Sequence, residues 1–210
     1  TNTSTLTSPS NTYATKGSYD VKQVLTSDQG CKDSITKTVV IYPNPVADFT
    51  TANVCDGVAA SFTDGSSIAT GTFTSLWDFD DGRSSTLRSP GNTYAAIGSY
   101  DVNLSLTSNF GCTDAVTKTV VIHPNPVVDL TITHICHCLP AGIRDGSSIA
   151  TETFTSLWDF DDGRSSTLRS PSNTYAAIGS YDVNLSLTSN FGCTDAVTKT
   201  VIIHPNPVAD

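Results

Sequence analysis

The feature that most constrains this chain is an internal repeat with a period of 81 residues. Trp77 recurs as Trp158, and Cys31 recurs as Cys112 and Cys193. Residues 64–127 and 145–208 differ at only three positions, namely Gly71/Glu152, Gly91/Ser172 and Val121/Ile202. Self-similarity at a fixed spacing identifies one structural unit that is copied along the chain. The sequence therefore predicts a tandem array of small domains.

The repeat sets the predicted domain boundaries. We expect the back half of a repeat at 1–48, a complete repeat at 49–129, and a second complete repeat at 130–210 that diverges over 130–144. Half a repeat cannot bury its own apolar face. Either the chain is a window on a longer polypeptide, or a neighbouring molecule supplies the missing strands by strand addition.

Each repeat is predicted to be all-β. Apolar and polar residues alternate from Tyr100 to Leu106, which is the period of a half-buried strand, and no stretch has helical periodicity. About seven short strands separated by turns predict a two-sheet sandwich. The predicted core residues are the large aromatic ones, Trp77, Trp158, Tyr100 and Tyr181.

Pro-Asn-Pro segments join the predicted domains, at 43–45, 124–126 and 205–207. Two prolines fix two φ angles and favour an extended backbone. A joint this short and stiff predicts an elongated rod rather than loosely tethered domains.

A motif in the second repeat resembles that of the PKD domain. The resemblance rests on Trp77–Gly82 (sequence WDFDDG), followed by Tyr94, Gly98, Tyr100 and Val102, and the same residues return 81 positions later. One departure is Asp80, with its copy Asp161, where the family usually has glycine. A left-handed backbone at that position would be strained.

The resemblance implies an Ig-like sandwich of the kind found in extracellular and cell-surface proteins. It implies no catalytic residues, and fold alone does not assign function. His123 and His204 stand alone at strand ends, where solvated histidines are expected, and we predict no enzyme activity.

Charge excludes several partners. The net charge is −9 and the isoelectric point is about 4.6, whereas binding to nucleic acid requires clustered Lys and Arg. No apolar run approaches the roughly 20 residues of a membrane-spanning helix. We therefore expect neither a nucleic-acid partner nor membrane insertion.

The densest acidic group has two interpretations. Its members are Asp78, Asp80 and Asp81, with the copies Asp159, Asp161 and Asp162. Oxygen ligands of this kind suit calcium. The competing interpretation is an Asx-type turn that closes on Gly82. We favour the turn and expect no cofactor. The mixed group His134, Cys136, His137 and Cys138 has ligand chemistry for zinc, but its spacing fits no standard site.

Five of the six cysteines recur with the repeat, which is typical of a disulfide framework in a secreted protein. In an Ig-like sandwich the turn after the first strand faces the next domain, and the last hairpin turn lies at the opposite end. This favours a bond between domains, Cys55–Cys193. The alternative is pairing within a repeat, Cys55–Cys112 and Cys136–Cys193.

Three triplets match the N-glycosylation pattern, beginning at Asn2, Asn103 and Asn184. Strand alternation predicts that Asn103 and Asn184 face outwards.

These features together predict a structural repeat protein of a cell surface or extracellular fibre, with an adhesive or spacer role. Its partners would be further copies, neighbouring repeats of a longer chain, or glycans. The alternative is a polysaccharide-binding or spacer appendage of a secreted hydrolase or adhesin.

Overall fold

A computed structural model describes residues 2–207, so the outermost predicted domain ends, Thr1 and Val208–Asp210, lie outside the described residues. Within 2–207 the fold is all-β, as predicted, with no helix and hence none that could cross a membrane. The strands are β1 Gly17–Thr26, β2 Lys32–Ile41, β3 Phe49–Thr50, β4 Val54–Cys55, β5 Ala60–Ser61, β6 Thr63–Asp64, β7 Phe73–Asp78, β8 Ser84–Ser85, β9 Gly91–Asn92, β10 Gly98–Ser108, β11 Thr113–His123, β12 Leu130–Ile132, β13 Ile135–Cys136, β14 Ile143–Asp145, β15 Phe154–Asp159, β16 Ser165–Ser166, β17 Gly179–Ser189 and β18 Thr194–His204.

The chain divides into two compact units. The first unit consists of residues 1–50, 62–90 and 101–118, and the second consists of residues 51–61, 91–100 and 119–210.

The first unit begins with an antiparallel hairpin of β1 and β2. The pairing runs from Gly17 opposite Ile41 to Thr26 opposite Lys32. Its apolar side chains are open to solvent: Val21 is 45% exposed and Leu25 is 61% exposed. The equivalent residues one repeat later, Val102 and Leu106, are at most 1% exposed. The first hairpin therefore presents a core-forming face with no opposing sheet among the described residues of this unit.

The core of the first unit is aromatic. Trp77 is fully buried in β7, with its ring centroid 5.0 Å from that of Phe49 and 5.8 Å from that of Phe62. Strand β7 pairs antiparallel with β8 and, from Asn103 to Ser108, with β10. Burying an aromatic ring of this size contributes roughly 1.5–3 kcal/mol. The predicted core position of Trp77 is therefore where the structure places it.

The second unit contains a five-stranded sheet in the order β13-β18-β17-β15-β16. Strands β17 and β18 form a long antiparallel hairpin, and β13 adds to β18 in parallel. The pair β12–β14 supplies Leu130 and Ile143, which pack with Trp158 in one buried cluster. The five-stranded sheet and the β12–β14 pair enclose this cluster between them. This is the two-sheet sandwich that the alternation of apolar residues predicts.

Two of the four predicted core aromatics are less buried than expected. Tyr181 is half-buried, and its hydroxyl donates a hydrogen bond to the carbonyl of Ala177, 3.1 Å away. Tyr175 is instead 1% exposed, with its ring centroid 4.2 Å from that of Tyr181. The half-buried Tyr100 and the buried Tyr94 repeat this arrangement. The tyrosines at 100 and 181 keep a polar end at the rim, because their hydroxyls bond a backbone carbonyl there.

Candidate functional site

The second unit contains a disulfide between Cys55 and Cys193, whose Cα atoms lie 5.6 Å apart. Cys55 ends β4, which pairs in parallel with β11 so that Cys55 stands opposite His123. Cys193 lies in the turn between β17 and β18, which is closed by a hydrogen bond from the Ser189 amide to the Cys193 carbonyl. The bond links the front of the second repeat to the last hairpin of the third.

A buried hydrogen-bonded pair, His123 and Glu152, and a ring stack lie beside this disulfide. Nδ1 of His123 is 2.7 Å from Oε1 of Glu152, and only 9% of each side chain is exposed. The ring of Phe191 stacks on the imidazole at a centroid distance of 3.8 Å. Buried polar side chains need hydrogen-bond partners, so His123 and Glu152 depend on each other. The expectation that His123 is solvated was wrong, because Phe191 and Glu152 cover it.

Backbone contacts complete the cluster. Oδ2 of Asp195 accepts a hydrogen bond from the amide of Val128, 3.2 Å away. The side-chain amide of Asn125, the central residue of a Pro-Asn-Pro segment, donates to the carbonyl of Asp56 at 3.1 Å. We use the name second joint for the Cys55–Cys193 disulfide, the contacts of His123 with Glu152 and Phe191, and these two hydrogen bonds.

The first unit contains matching contacts 81 residues earlier. Tyr42 takes the place of His123 and stacks on Phe110 at a centroid distance of 3.8 Å, with the ring planes 8° apart. Oδ2 of Asp114 accepts a hydrogen bond from the amide of Ala47, 2.8 Å away. We call this set the first joint. It repeats the ring stack and the carboxylate contact of the second joint.

Gly71 explains one of the three differences between the two repeats. It has a φ of +94°, and a Cβ added there would lie 2.6 Å from Cε2 of Phe110 and 2.5 Å from Oδ1 of Asn109. Glycine is therefore required at the first joint. The equivalent residue at the second joint is Glu152, which turns its carboxylate to His123.

The remaining four cysteines carry free thiols. Cys112 and Cys136 are half-buried, while Cys31 and Cys138 are exposed. Cys112 and Cys136 were the partners in the alternative pairing within a repeat, and the structure forms neither of those bonds.

The acidic groups are engaged in turns. Oδ1 of Asp78 accepts the amide of Asp80 at 3.1 Å, and Oδ1 of Asp81 accepts the amide of Arg83 at 3.0 Å. Asp80 has a φ of 62° and bonds the amide of Asp101 through Oδ2, 3.1 Å away. An Asp can adopt this left-handed conformation when its short side chain bonds nearby backbone. That bond explains how Asp replaces the family's glycine.

The third repeat has the same turn, built from Asp159, Asp161 and Asp162. Over residues 2–207 no group of three or more His, Cys, Asp or Glu side chains is arranged to hold a metal ion. The geometry at both acidic groups is that of the Asx-type turn.

The histidine and cysteine group of the third repeat is dispersed. Nδ1 of His134 accepts the amide of Ile202, and Nε2 of His137 lies 3.0 Å from the carbonyl of Ala176. Sγ of Cys138 contacts Nδ1 of His137, while Cys136 occupies the strand position of Cys55. Nδ1 of His134 and Nε2 of His137 thus contact backbone groups, and Nδ1 of His137 contacts the thiol of the next residue.

The glycosylation candidates differ in accessibility. Asn2 is exposed, and its amide donates to Oδ1 of Asn11 at 3.1 Å. Asn103 is half-buried, and its amide donates to Oγ1 of Thr117 at 2.9 Å. Asn184 makes the same bond to Thr198. The predicted outward face at Asn103 and Asn184 is thus partly covered by cross-strand contacts.

Two ionisable groups are shifted by their surroundings. Lys118 donates to Oδ1 of Asp48 at 2.7 Å and also to the carbonyl of Phe49, and the lysine lowers the pKa of Asp48. Burial raises the pKa of the Tyr175 hydroxyl above its usual 10.0, the nearby side chain of Asn173 opposes the rise, and the charge of Asp162 adds to it. Lys199 reaches the carbonyl of Leu130 as Lys118 reaches that of Phe49.

Sequence reasoning missed the partners of His123. Both Phe191 and Glu152 lie far from it in the chain, so neither periodicity nor a local motif points to them. The one available indication was that Glu152 is among the three positions where otherwise identical repeats differ.

Comparison with known proteins identifies the family. The PKD domain model matches residues 42–124 and 123–204, in tandem. The chain therefore belongs to the PKD domain family, in agreement with the motif that begins at Trp77. A microbial collagenase from Vibrio alginolyticus is 47% identical over 47 residues, which is 22% of this chain and 6% of the collagenase. The chain thus spans a small part of that relative.

Two solved structures are among those similar to this chain. The PKD1 domain of the Vibrio cholerae metalloprotease PrtV is 32% identical, with a TM-score of 0.35, and the match covers 38% of this chain and 96% of that domain. The N-terminal eight Ig domains of the Down syndrome cell adhesion molecule match 90% of this chain and 28% of theirs, at 12% identity and a TM-score of 0.53. The second likeness concerns the fold alone.

Proposed function

We propose that this chain is a non-catalytic structural segment of an extracellular rod or fibre, in which PKD repeats follow one another through matching joints. The observation that carries the proposal is the recurrence of the joint. The stack of Tyr42 on Phe110 and the stack of His123 on Phe191 occupy equivalent positions one repeat apart. A contact that recurs with the sequence period is what a linear array requires, since each repeat meets only its neighbours.

The disulfide supports an extracellular location. Cys55–Cys193 closes a chain segment with a sequence separation of 138 residues. Structural disulfides persist in oxidising environments and are rare in the cytosol. This bond and the membership of the PKD family both support the proposed location at the cell surface or in the extracellular space.

The first hairpin supports association with further PKD material. Val21, Leu25 and Ile35 are between 45% and 61% exposed on β1 and β2. In the second repeat, the front-half residues Phe49 and Phe62 are buried in the aromatic core. A front half of a PKD repeat is therefore the natural cover for this hairpin, from the same longer polypeptide or from another molecule. Self-association or neighbouring repeats would provide the adhesive role.

Negative-stain microscopy of the full chain tests the rod or fibre. We expect straight particles or filaments with a constant spacing between repeats. A matched sample of the Cys55→Ser, Cys193→Ser double variant should keep the sandwiches but bend more at the second joint. Isolated domains that bend freely in the unsubstituted chain would contradict the proposal.

Glycosylation of the rod is a further part of the proposal, at Asn2, Asn103 and Asn184. Asn2 is the most accessible acceptor, because its exposed amide bonds only another exposed side chain, Asn11. Glycopeptide mass spectrometry of the protein from its native source checks each site. Unmodified peptides at all three asparagines would remove this part.

The second candidate is a spacer or polysaccharide-binding appendage of a secreted hydrolase or adhesin. It is favoured by the likeness to segments of a Vibrio collagenase and a Vibrio metalloprotease. Sugar-binding surfaces commonly present a row of exposed aromatic rings. Here the exposed rings of Phe110 and Phe191 are stacked in the joints. Retention of the chain on cellulose, chitin or collagen would favour this candidate over the rod.

A further inference from the structure

The C-terminal end of the third repeat reproduces one half of the second joint. Cys136 stands opposite His204 in the parallel pair of β13 and β18, as Cys55 stands opposite His123. The amide of His137 donates to the carbonyl of His204 at 2.8 Å, and the amide of Asp56 donates to that of His123 at the same distance. The backbone that positions Cys55 for its bond is therefore present around Cys136.

The other half of the joint is absent at this end among the described residues. His123 is 7% exposed beneath Phe191, whereas His204 is exposed. The thiol of Cys136 is free, although its equivalent is bonded. The cysteine is bonded in one repeat and free in the next, and the ring beside it is buried in one repeat and exposed in the next. This difference marks a surface built for the same partner.

The first joint shows the complementary half. Cys112 lies in the Gly-Cys turn that corresponds to the turn of Cys193, and the neighbouring Phe110 already stacks on Tyr42. Cys112 is nevertheless a free thiol. Among residues 2–207 no counterpart of Cys55 from the preceding repeat is described, and the ring stack of the first joint is present without a disulfide. Cys136 is thus a second copy of Cys55, and Cys112 is a second copy of Cys193. Both thiols are free.

We infer that Cys136 forms a disulfide with the turn cysteine of a following PKD repeat, and that Cys112 forms one with the front-half cysteine of the repeat before it. The partner that would bind the surface around Cys136 and His204 is the hairpin turn of another PKD repeat. This turn carries a Gly-Cys pair, and an aromatic residue lies two positions before the cysteine. That ring would stack on His204 as Phe191 stacks on His123. Each repeat would then be bonded covalently to the next.

The bond forms by two thiol–disulfide exchanges with a small disulfide such as oxidised glutathione. The thiolate of Cys136 attacks one glutathione sulfur, which forms a mixed disulfide and releases one reduced glutathione. The turn thiolate of the following repeat then attacks the Cys136 sulfur and releases the second glutathione. Two protein thiols are oxidised and one glutathione disulfide is reduced, so the electrons balance.

This inference goes beyond the fibre role and does not require it. A spacer of several PKD repeats would contain the same bonds, and a fibre held by other contacts could lack them. Peptide mapping detects a covalent bond, and its outcome is independent of the particle shape seen by microscopy.

The experiment extends the full chain after Asp210 by a further copy of residues 130–210 and oxidises it in a glutathione buffer. Peptide mapping without reduction should find Cys136 joined to the added copy's counterpart of Cys193, in the same digest that contains Cys55–Cys193. Monomers on a non-reducing gel indicate a bond within one chain, and a ladder indicates a bond between chains. If Cys136 is alkylated or bonded to Cys138 while Cys55–Cys193 has formed, the inference is overturned.

A matched variant and a second measurement control the result. Cys136→Ser in the extended chain should leave Cys55–Cys193 intact and make the added turn cysteine fully reactive to iodoacetamide. The unextended chain provides a measurement that does not depend on folding of the extension. Cys112 and Cys136 should both be alkylated there, with Cys55 and Cys193 protected. A Cys136–Cys138 bond in the unextended chain would overturn the inference directly.

Discussion

The indole nitrogen of Trp158 donates a hydrogen bond to the carbonyl of Leu168, 2.9 Å away, from a side chain with no solvent exposure. The ring is thereby both buried and satisfied at its polar end. Replacing it by alanine removes the packing and leaves a cavity, so Trp158→Ala should lower the free energy of unfolding by about 3–5 kcal/mol. Urea unfolding followed by circular dichroism measures the change.

The residue before it is the matched control. Leu157 lies on the opposite face of the same strand and is 53% exposed. Leu157→Ala should therefore change the free energy of unfolding by no more than about 0.5 kcal/mol. Equal losses for the two variants would contradict the assignment of the core face.

The disulfide gives the second prediction. Cys55→Ser should lower the free energy of unfolding by about 2–4 kcal/mol, because the cross-link no longer restricts the unfolded chain. Cys31→Ser, at an exposed free thiol, should have no measurable effect. Guanidinium unfolding with and without reductant provides the measurement. If reductant destabilises the Cys55→Ser variant as much as the unsubstituted chain, the bond is not the source of the stability.

The pair of His123 and Glu152 gives a third prediction. Glu152→Gly should cost roughly 1–3 kcal/mol, since it leaves a buried imidazole without its partner. The first joint supplies a compensating change, because Tyr42 and Gly71 occupy the two equivalent positions there. His123→Tyr combined with Glu152→Gly should therefore recover at least about 1 kcal/mol relative to Glu152→Gly alone. Additive losses in thermal unfolding would show that the two residues are not coupled.

The left-handed turn residue gives a fourth prediction. Asp161 has a φ of 59°, and its Oδ2 accepts the amide of Asp182 at 3.0 Å. Alanine would keep the backbone strain and lose the hydrogen bond, whereas glycine would lose the bond but relieve the strain. Asp161→Ala should therefore be about 1 kcal/mol less stable than Asp161→Gly. The reverse order in urea unfolding would contradict the backbone conformation described for this turn.

Tyr175 gives a prediction for alkaline solution. Burial raises the pKa of its hydroxyl above 10.0 in the folded state. The folded state therefore favours the neutral form, and this contribution to stability is fully present below about pH 10 and is lost as pH rises through the folded pKa. Tyr175→Phe should weaken the alkaline fall in unfolding free energy. An identical pH dependence for the two proteins, measured by urea unfolding from pH 8 to 11, would refute the shift.

The sequence predicts more of the fold than of the joints. Alternation and the turn dipeptides locate the long hairpins, since a strand with one buried face repeats every two residues. The motif at Trp77 identifies the PKD family. The predicted burial of Tyr100 and Tyr181 was too high. Alternation shows on which face of the strand a side chain lies, but it does not show whether the hydroxyl reaches a backbone carbonyl at the edge of the core.

The joints could be predicted only in part. The topology of an Ig-like sandwich favours Cys55 and Cys193 as partners, and the structure contains that bond. The burial of His123 could not be anticipated, because its cover comes from Glu152 and Phe191, which belong to the following repeat. Contacts between residues this far apart leave no local pattern in the sequence.

The position of the Cys55–Cys193 bond has a consequence for survival among proteases. The exposed loops around Ala69, Leu87 and Leu168 all lie between the two bonded residues in the chain. A single cut in any of them leaves two pieces that the sulfur bridge still holds together. A damaged molecule would remain in one piece, and the lesion would become visible only on a gel run with reductant.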